Sequence, residues 1–200
     1  MPKLFSFLFA SLDGYHETHD REIDWQDVDE EFDDFDLPQL DEAGTLLLGR
    51  VTYEGFAEFW STPAAHEADP ARAKRINAMP KVIVSRTLRE VRWENTTIIG
   101  ADVEAELRKL KEQAGQDILV IGSATLTAYL IQAGLLDEVR VMVSPVLLGS
   151  GNPAFPVSGP VSIELLQSRQ FGNGNMLLIY RPQAGGLADQ NGAREQSGGS

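Results

Sequence analysis

The sequence predicts an α/β domain built on one mixed sheet, and three observations carry that prediction. Short apolar or β-branched runs, such as Thr45-Leu46-Leu47-Leu48 and Lys81-Val82-Ile83-Val84-Ser85, alternate with amphipathic segments as far as Ala133. Beyond Ala133 the pattern changes to strands alone. The last two are separated by Gly172-Asn173-Gly174-Asn175, a turn rich in residues that accept positive φ and therefore a hairpin. Alternation of strands and helices followed by a hairpin is the signature of a mostly parallel sheet with an antiparallel edge. Two hundred residues are enough for one such domain with a real core.

Each element follows from its local pattern. Lys3 to Ala10 is rich in Phe and Leu and reads as a strand ended by the Asp13-Gly14 turn. Tyr15 to Asp27 is polar and irregular, a loop able to cover a site. Asp29 to Leu40 carries apolar residues at Phe32, Phe35, Leu37 and Leu40 behind acidic first-turn residues, which predicts a helix terminated or kinked near Pro38. Thr45 to Leu48 is a strand, Tyr53 to Phe59 a helix, Ser61 to Pro70 a loop and Pro70 to Asn77 a short helix. Strands follow at Lys81–Ser85 and Thr96–Ile99, then a helix from Val103 to Gln113 closed by Gly115. Ile118–Ile121 is a strand, Leu126–Ala133 a helix stopped at Gly134, and Glu138–Ser144 a strand. After a Gly- and Pro-rich excursion from Pro145 to Pro160, Ile163–Gln170 and Met176–Arg181 form the hairpin. The domain spans residues 1–182. Residues 183–200 hold almost nothing to bury and are expected to form a disordered tail.

Composition narrows the function classes. Zero cysteines removes disulfides, thiolate zinc sites and cysteine nucleophiles together and makes the cytoplasm the default address. A formal net charge of −13 argues against nucleic acid or an anionic membrane as partner. Twelve of the thirty acidic residues fall between Asp20 and Glu42, a solvated acidic face, so a phosphorylated ligand is expected elsewhere, near Arg50 or Arg86. No apolar run approaches the ~20 residues that span a bilayer. The apolar start of the chain lacks a small-x-small cleavage site and reads as a buried strand.

Three strand ends carry more than core. Gly49-Arg50-Val51-Thr52 leaves a strand and opens a helix, where free N–H groups, the dipole and a guanidinium make an anion cradle. Val84-Ser85-Arg86 sends a hydroxyl and a guanidinium from the end of another strand. Ile121-Gly122-Ser123-Ala124-Thr125 is a small-residue turn into a helix that lets backbone approach a ligand. Ligands of open α/β sheets gather at the carboxyl ends of strands. Together the three ends suit a dinucleotide, its pyrophosphate on helix N-termini and Arg50, Ser85 and Arg86 on a ribose 2′-phosphate. That favours NADPH over NADH. The Rossmann fingerprint Gly-x-Gly-x-x-Gly is missing between strand and helix. His16 and His19 fit no standard metal spacing, and Gly122-Ser123-Ala124 lacks the second glycine of a hydrolase elbow. No metal is expected.

These motifs, in their order and spacing, resemble the dihydrofolate-reductase-like superfamily. The branch is that of the reductase (C-terminal) domain of the bifunctional riboflavin-biosynthesis protein. The residues that carry the resemblance, within Lys3 to Pro182, are Ser11-Leu12-Asp13-Gly14-Tyr15, Leu47-Leu48-Gly49-Arg50-Val51-Thr52-Tyr53-Glu54, Val82-Ile83-Val84-Ser85-Arg86, Ile121 to Leu126 and Pro145 to Gly151. The resemblance implies a three-layer α/β/α fold with a mixed eight-stranded sheet and an NADPH-dependent reductase. Its reaction would be like the 5-amino-6-(5-phosphoribosylamino)uracil reductase step of riboflavin biosynthesis. It further implies phosphate contacts at Arg50 and Thr52 and 2′-phosphate contacts at Ser85 and Arg86. Gly122, Ser123, Ala124, Thr125 and Leu126 would form the pyrophosphate turn. Asp13 and Gly14 would face the nicotinamide and substrate, and the loop with Leu148 and Gly149 the substrate. A homodimer is the implied assembly. Asp13 is the first candidate for the catalytic polar group and the helix acid Asp33 the second. Two departures stand out. Ser123 replaces the second glycine of the turn, and Ala78-Met79-Pro80 stands where folate reductases hold an arginine. Dihydrofolate reduction, or nucleotide binding without turnover, are the alternative readings.

Overall fold

The computed structural model describes residues 2–112 and 115–183. The element order is β1 (Leu4–Ser11), β2 (Tyr15–Glu17), α1 (Glu30–Glu42), β3 (Ala43–Gly49), α2 (Arg50–Trp60), α3 (Pro63–Ala68), α4 (Pro70–Ala78), β4 (Lys81–Val84) and β5 (Thr96–Ile99). It continues with α5 (Val103–Glu112), β6 (Asp117–Ile121), α6 (Ala124–Gln132), β7 (Glu138–Ser144), β8 (Asn152–Pro153), β9 (Ile163–Gln170) and β10 (Met176–Pro182). Eight strands form one sheet in the order β5-β4-β3-β6-β1-β7-β10-β9. Only β10 runs against its neighbours, so the sheet is parallel up to the terminal hairpin. The expected tail lies outside the described residues beyond Gln183, as does the predicted last residue of α5, Gln113.

Burial explains the strand composition. All eight residues of β1 are buried, because the strand lies mid-sheet with helices over both faces. Phe5, Phe7 and Phe9 point into one core layer with Phe32 and Leu40 of α1, Tyr53 of α2 and Ile76 of α4. Leu4 points into the opposite layer, with Leu107 of α5 and Leu126 and Leu130 of α6. Three layers result, with α1, α2 and α4 on one face and α5 and α6 on the other.

The structure corrects several local expectations. Helix α1 passes through Pro38 and ends at Glu42. The missing proline N–H is outweighed by tertiary anchors on the last turn, where Gln39 and Leu40 are both buried. Helix α2 begins at Arg50, not at Tyr53, because Gly49 already has the extended geometry of an N-cap. A helix, α3, occupies part of the expected 61–70 loop, started by Thr62, whose side chain accepts from the Ala65 N–H, and by Pro63 at its first position. The covering loop contains β2, which pairs with β8 in a separate two-stranded sheet. Gly151 permits that pairing, since a Cβ there would come 2.3 Å from the Glu17 carbonyl oxygen.

Two buried cations lie in the fold. Burial pushes the Lys81 ammonium down to about 8, while the carbonyl oxygens of Asn77 and Met79 and the Trp93 ring retain it at the end of α4. Arg140 of β7 lies over the Phe5 ring and reaches Glu138 and Glu42. No helix among the described residues is long and apolar enough to cross a membrane.

Candidate active site

A cleft of about 750 Å³ opens at the carboxyl ends of β1, β3 and β6. Its size is ordinary for a cofactor or substrate site. One end is made of backbone. Strand β6 turns into α6 through Gly122, at φ +57, and Ser123, at φ 52 and ψ 62. Gly122 takes this conformation freely, whereas Ser123 there costs strain, and such strain gathers at ligand sites. The turn points the first N–H groups of α6, those of Ala124, Thr125 and Leu126, away from any acceptor among the described residues. The side chains of Ala124 and Leu126 are buried in the core, so these residues offer only backbone to a ligand.

The β3–α2 turn packs against this corner. A Cβ on Gly49 would fall 2.3 Å from the Ser123 Oγ, and one on Gly122 would lie 3.6 Å from the Thr52 methyl. Gly49-Arg50-Val51-Thr52 and Gly122-Ser123 are thus one surface, with two helix N-termini side by side. Arg50 is exposed and forms both of its carboxylate hydrogen bonds, at 2.8 and 3.0 Å, with Glu54 one turn along. Ser85 is buried and its Oγ accepts from the Leu88 N–H at 2.9 Å, which shapes the turn after β4 and leaves Arg86 exposed beside it.

The other end is made of side chains. Phe7 and Phe9 of β1 and Phe32 of α1 form its floor, their ring centroids 5.4–5.9 Å apart. Phe56, Phe59 and Trp60 of α2 form a second aromatic group, and His16, Glu17, Arg21, Ile23 and Gln26 of the covering loop also line the cleft. Burial lowers the His16 imidazole below its usual range, with Glu17 opposing, so the ring is neutral near pH 7.

The two sequence-predicted acids have definite partners. Asp13 accepts from the Ser11 hydroxyl at 2.6 Å and from the N–H groups of Leu148 and Gly149 at 3.1 and 2.7 Å. The Ser11 hydroxyl first, and then these two amides, hold its carboxyl below the usual range. It therefore clips the 145–151 loop to the β1 turn, joining three residues that the sequence had assigned to one site. Gly14, at φ +89, completes the same turn.

Asp33 pairs with Arg72 Nη2 at 2.7 Å but is not among the cleft residues. The carboxylate of α1 that lines the cleft is Asp36, buried at 6% exposure, accepting from Arg72 Nε at 2.8 Å and Gln39 Nε2 at 2.6 Å. Arg72 also pairs with Asp69, so one guanidinium serves three carboxylates. Asp36 had a visible signal. Phe32, Asp36 and Leu40 recur every four residues on one helical stripe, and an acid inside an apolar stripe must be buried and partnered.

An eight-stranded sheet, parallel up to its terminal hairpin and set between two helical layers, is a dihydrofolate-reductase-like α/β fold. The family pattern of the RibD C-terminal domain matches residues 2–177, and the chain belongs to that family. It is 32% identical over 177 residues to the uncharacterized protein YyaP of Bacillus subtilis (strain 168), covering 86% of this chain and 91% of that one. The crystal structure of a "putative riboflavin biosynthesis protein" from Shewanella sp. PV-4 superposes with a TM-score of 0.70 at 21% identity over 91% of this chain and 99% of that one. The diaminohydroxyphosphoribosylaminopyrimidine deaminase/5-amino-6-(5-phosphoribosylamino)uracil reductase of Thermotoga maritima gives a TM-score of 0.64 at 17% identity. That match covers 91% of this chain and 57% of the Thermotoga protein.

Proposed function

We propose that this protein is an NADPH-dependent reductase of a small planar heterocycle, in the reaction class named for the Thermotoga maritima protein. The observation that supports it best is the backbone corner where Gly49–Thr52 meets Gly122–Ser123 under the unpartnered N–H groups of α6. A pyrophosphate needs such donors, and a Cβ at either glycine would narrow the approach. When bound, the cofactor supplies a hydride. The chain's own residues do the rest. The N–H groups of Ala124, Thr125 and Leu126 hold the pyrophosphate. Arg86, with Arg50 after release from Glu54, meets the ribose 2′-phosphate. The aromatic end of the cleft excludes water from the reacting centre. Asp13, ionised by its three donors, positions the Leu148–Gly149 loop, a role distinct from proton donation. The same reading includes a homodimer, for which the edge strand β9 leaves Ile163 and Leu165 bare.

Fluorescence titration with NADPH and NADH tests this reading. NADPH is expected to bind at least tenfold tighter, and Arg86→Ala to remove most of that preference, with Arg50→Ala a smaller share. An equal loss for both cofactors would show that neither arginine reads the 2′-phosphate. Absence of NADPH binding would sink the reading, and binding without absorbance loss across a substrate panel would leave a binding protein.

A further inference from the structure

The substrate end of the cleft carries information about its ligand that the fold does not. Its aromatic residues lie on three elements, Phe7 and Phe9 on β1, Phe32 on α1, and Phe56, Phe59 and Trp60 on α2. Rings of this kind accept a flat ligand on either face. Helix α2, continuous from Arg50 to Trp60, carries Gly55 one residue before Phe56; Gly55 lines the cleft, and an added Cβ there would meet nothing within 4 Å. A mid-helix glycine weakens a helix, and no neighbour requires this one. The open backbone at Gly55 is therefore space that the chain itself leaves unfilled.

The charges are equally specific. Carboxylates of Glu17, Asp36, Glu54 and Glu58 line the cleft against the cations Arg21 and Arg72. Arg72 is already shared by Asp33, Asp36 and Asp69. Arg21 sits on the exposed covering loop between Asp20 and Glu22. Even with Arg50 holding Glu54, the balance of the lining is negative because Arg72 serves three carboxylates, and a phosphate dianion entering here would meet more negative charge than positive.

We propose that the substrate is a planar heterocycle without a phosphate group, neutral or cationic, seated over the open backbone of Gly55 and edged by the Asp36–Arg72 pair. The inference rests on the reductase reading for the location of the substrate end. Asp36 has lone pairs, and Arg72 N–H groups, beyond those in their mutual bond, so the pair presents an acceptor beside a donor. An N–H next to a carbonyl on a pyrimidine-type ring is the complementary edge.

The probes are 5-amino-6-ribosylaminouracil and its 5′-phosphate, which differ by the phosphate alone. Calorimetric titration of each into the protein saturated with NADP+, which cannot reduce the probe, is expected to show the nucleoside binding at least as tightly as the phosphate, and up to tenfold tighter at low salt. A phosphate form bound tenfold tighter, with that gain removed by Arg21→Ala, would overturn the inference. So would failure of both probes to bind. NADPH affinity, measured first, fails or succeeds separately and tests the reductase reading alone. Gly55→Leu supplies a second test. It should fold with a midpoint at or above that of the parent chain and lose the nucleoside at least tenfold. Unchanged nucleoside affinity in a folded Gly55→Leu protein would overturn the placement over Gly55.

Discussion

The two ends of the cleft are built from different materials. One end, proposed for the cofactor, is backbone, made of two glycine turns, two helix N-termini and a serine in left-handed geometry. The other end, proposed for the substrate, is side chain, made of rings from β1, α1 and α2 and one arginine shared among three carboxylates from α1 and the start of α4. Backbone turns depend on residues adjacent in the chain, so their geometry tolerates change nearby and fails abruptly at the glycines. A side-chain assembly depends on residues up to 39 apart, as in the Arg72–Asp33 bond, and fails when any one partner leaves others unpaired.

That contrast can be broken at either end. The largest effect is expected at Arg72→Ala, which strips Asp36 of its cation while leaving it buried. Removing one partner of a buried pair costs about 3–5 kcal/mol. Urea unfolding measures it, and a loss under 1 kcal/mol would mean that Asp36 finds water or protonates at little cost. Next is Gly122→Val, which forces a β-branched residue to φ +57 against the Thr52 methyl. The expected loss is about 2–3 kcal/mol together with the loss of NADPH binding. Retained NADPH affinity would show that the turn is not the cradle.

Asp13→Ala acts on the loop that joins the two ends. With its carboxylate gone, amide exchange at Leu148 and Gly149 should quicken at least tenfold while the core remains protected. The pH dependence has a definite sign. The folded carboxyl titrates below its ordinary value, so the clip is fully present above about pH 4 and is lost as pH falls through the depressed value. Unchanged exchange on acidification would remove the clip. The smallest effect is Ser123→Gly. It relieves a left-handed non-glycine residue whose side chain makes no capping bond, and should stabilise by about 0.5–1 kcal/mol. Destabilisation would show that Ser123 Oγ has a partner in solution.

Legibility in the sequence followed the same division. Gly49-Arg50-Val51-Thr52 and Gly122-Ser123 were identifiable because a turn declares itself through residues next to one another. That these turns touch, at the distance where a methyl on Gly49 would collide with Ser123, is a fact of sheet order, since β6 lies beside β3 only through the crossover of α5. The helix acid shows the limit. Both Asp33 and Asp36 stand on α1, and the stripe with Phe32 and Leu40 selects Asp36, but its partner Arg72 comes from α4. Helix α1 crossing Pro38 likewise could not be read locally, because the bonds of Gln39 and the burial of Leu40 lie outside the helix.

The sequence by itself determined the layered α/β architecture, the terminal hairpin and the family, and it marked the glycine turns at the strand ends. Period, strand composition and glycine placement are local, and they act wherever the chain goes. Tertiary structure alone decided which acid of α1 enters the cleft, that Asp13 clips a loop, and that the side-chain end of the cleft is aromatic and short of free positive charge. Those properties belong to no segment. They arise where β1, α1, α2 and α4 converge, because burial and charge pairing depend on which residues meet across the fold.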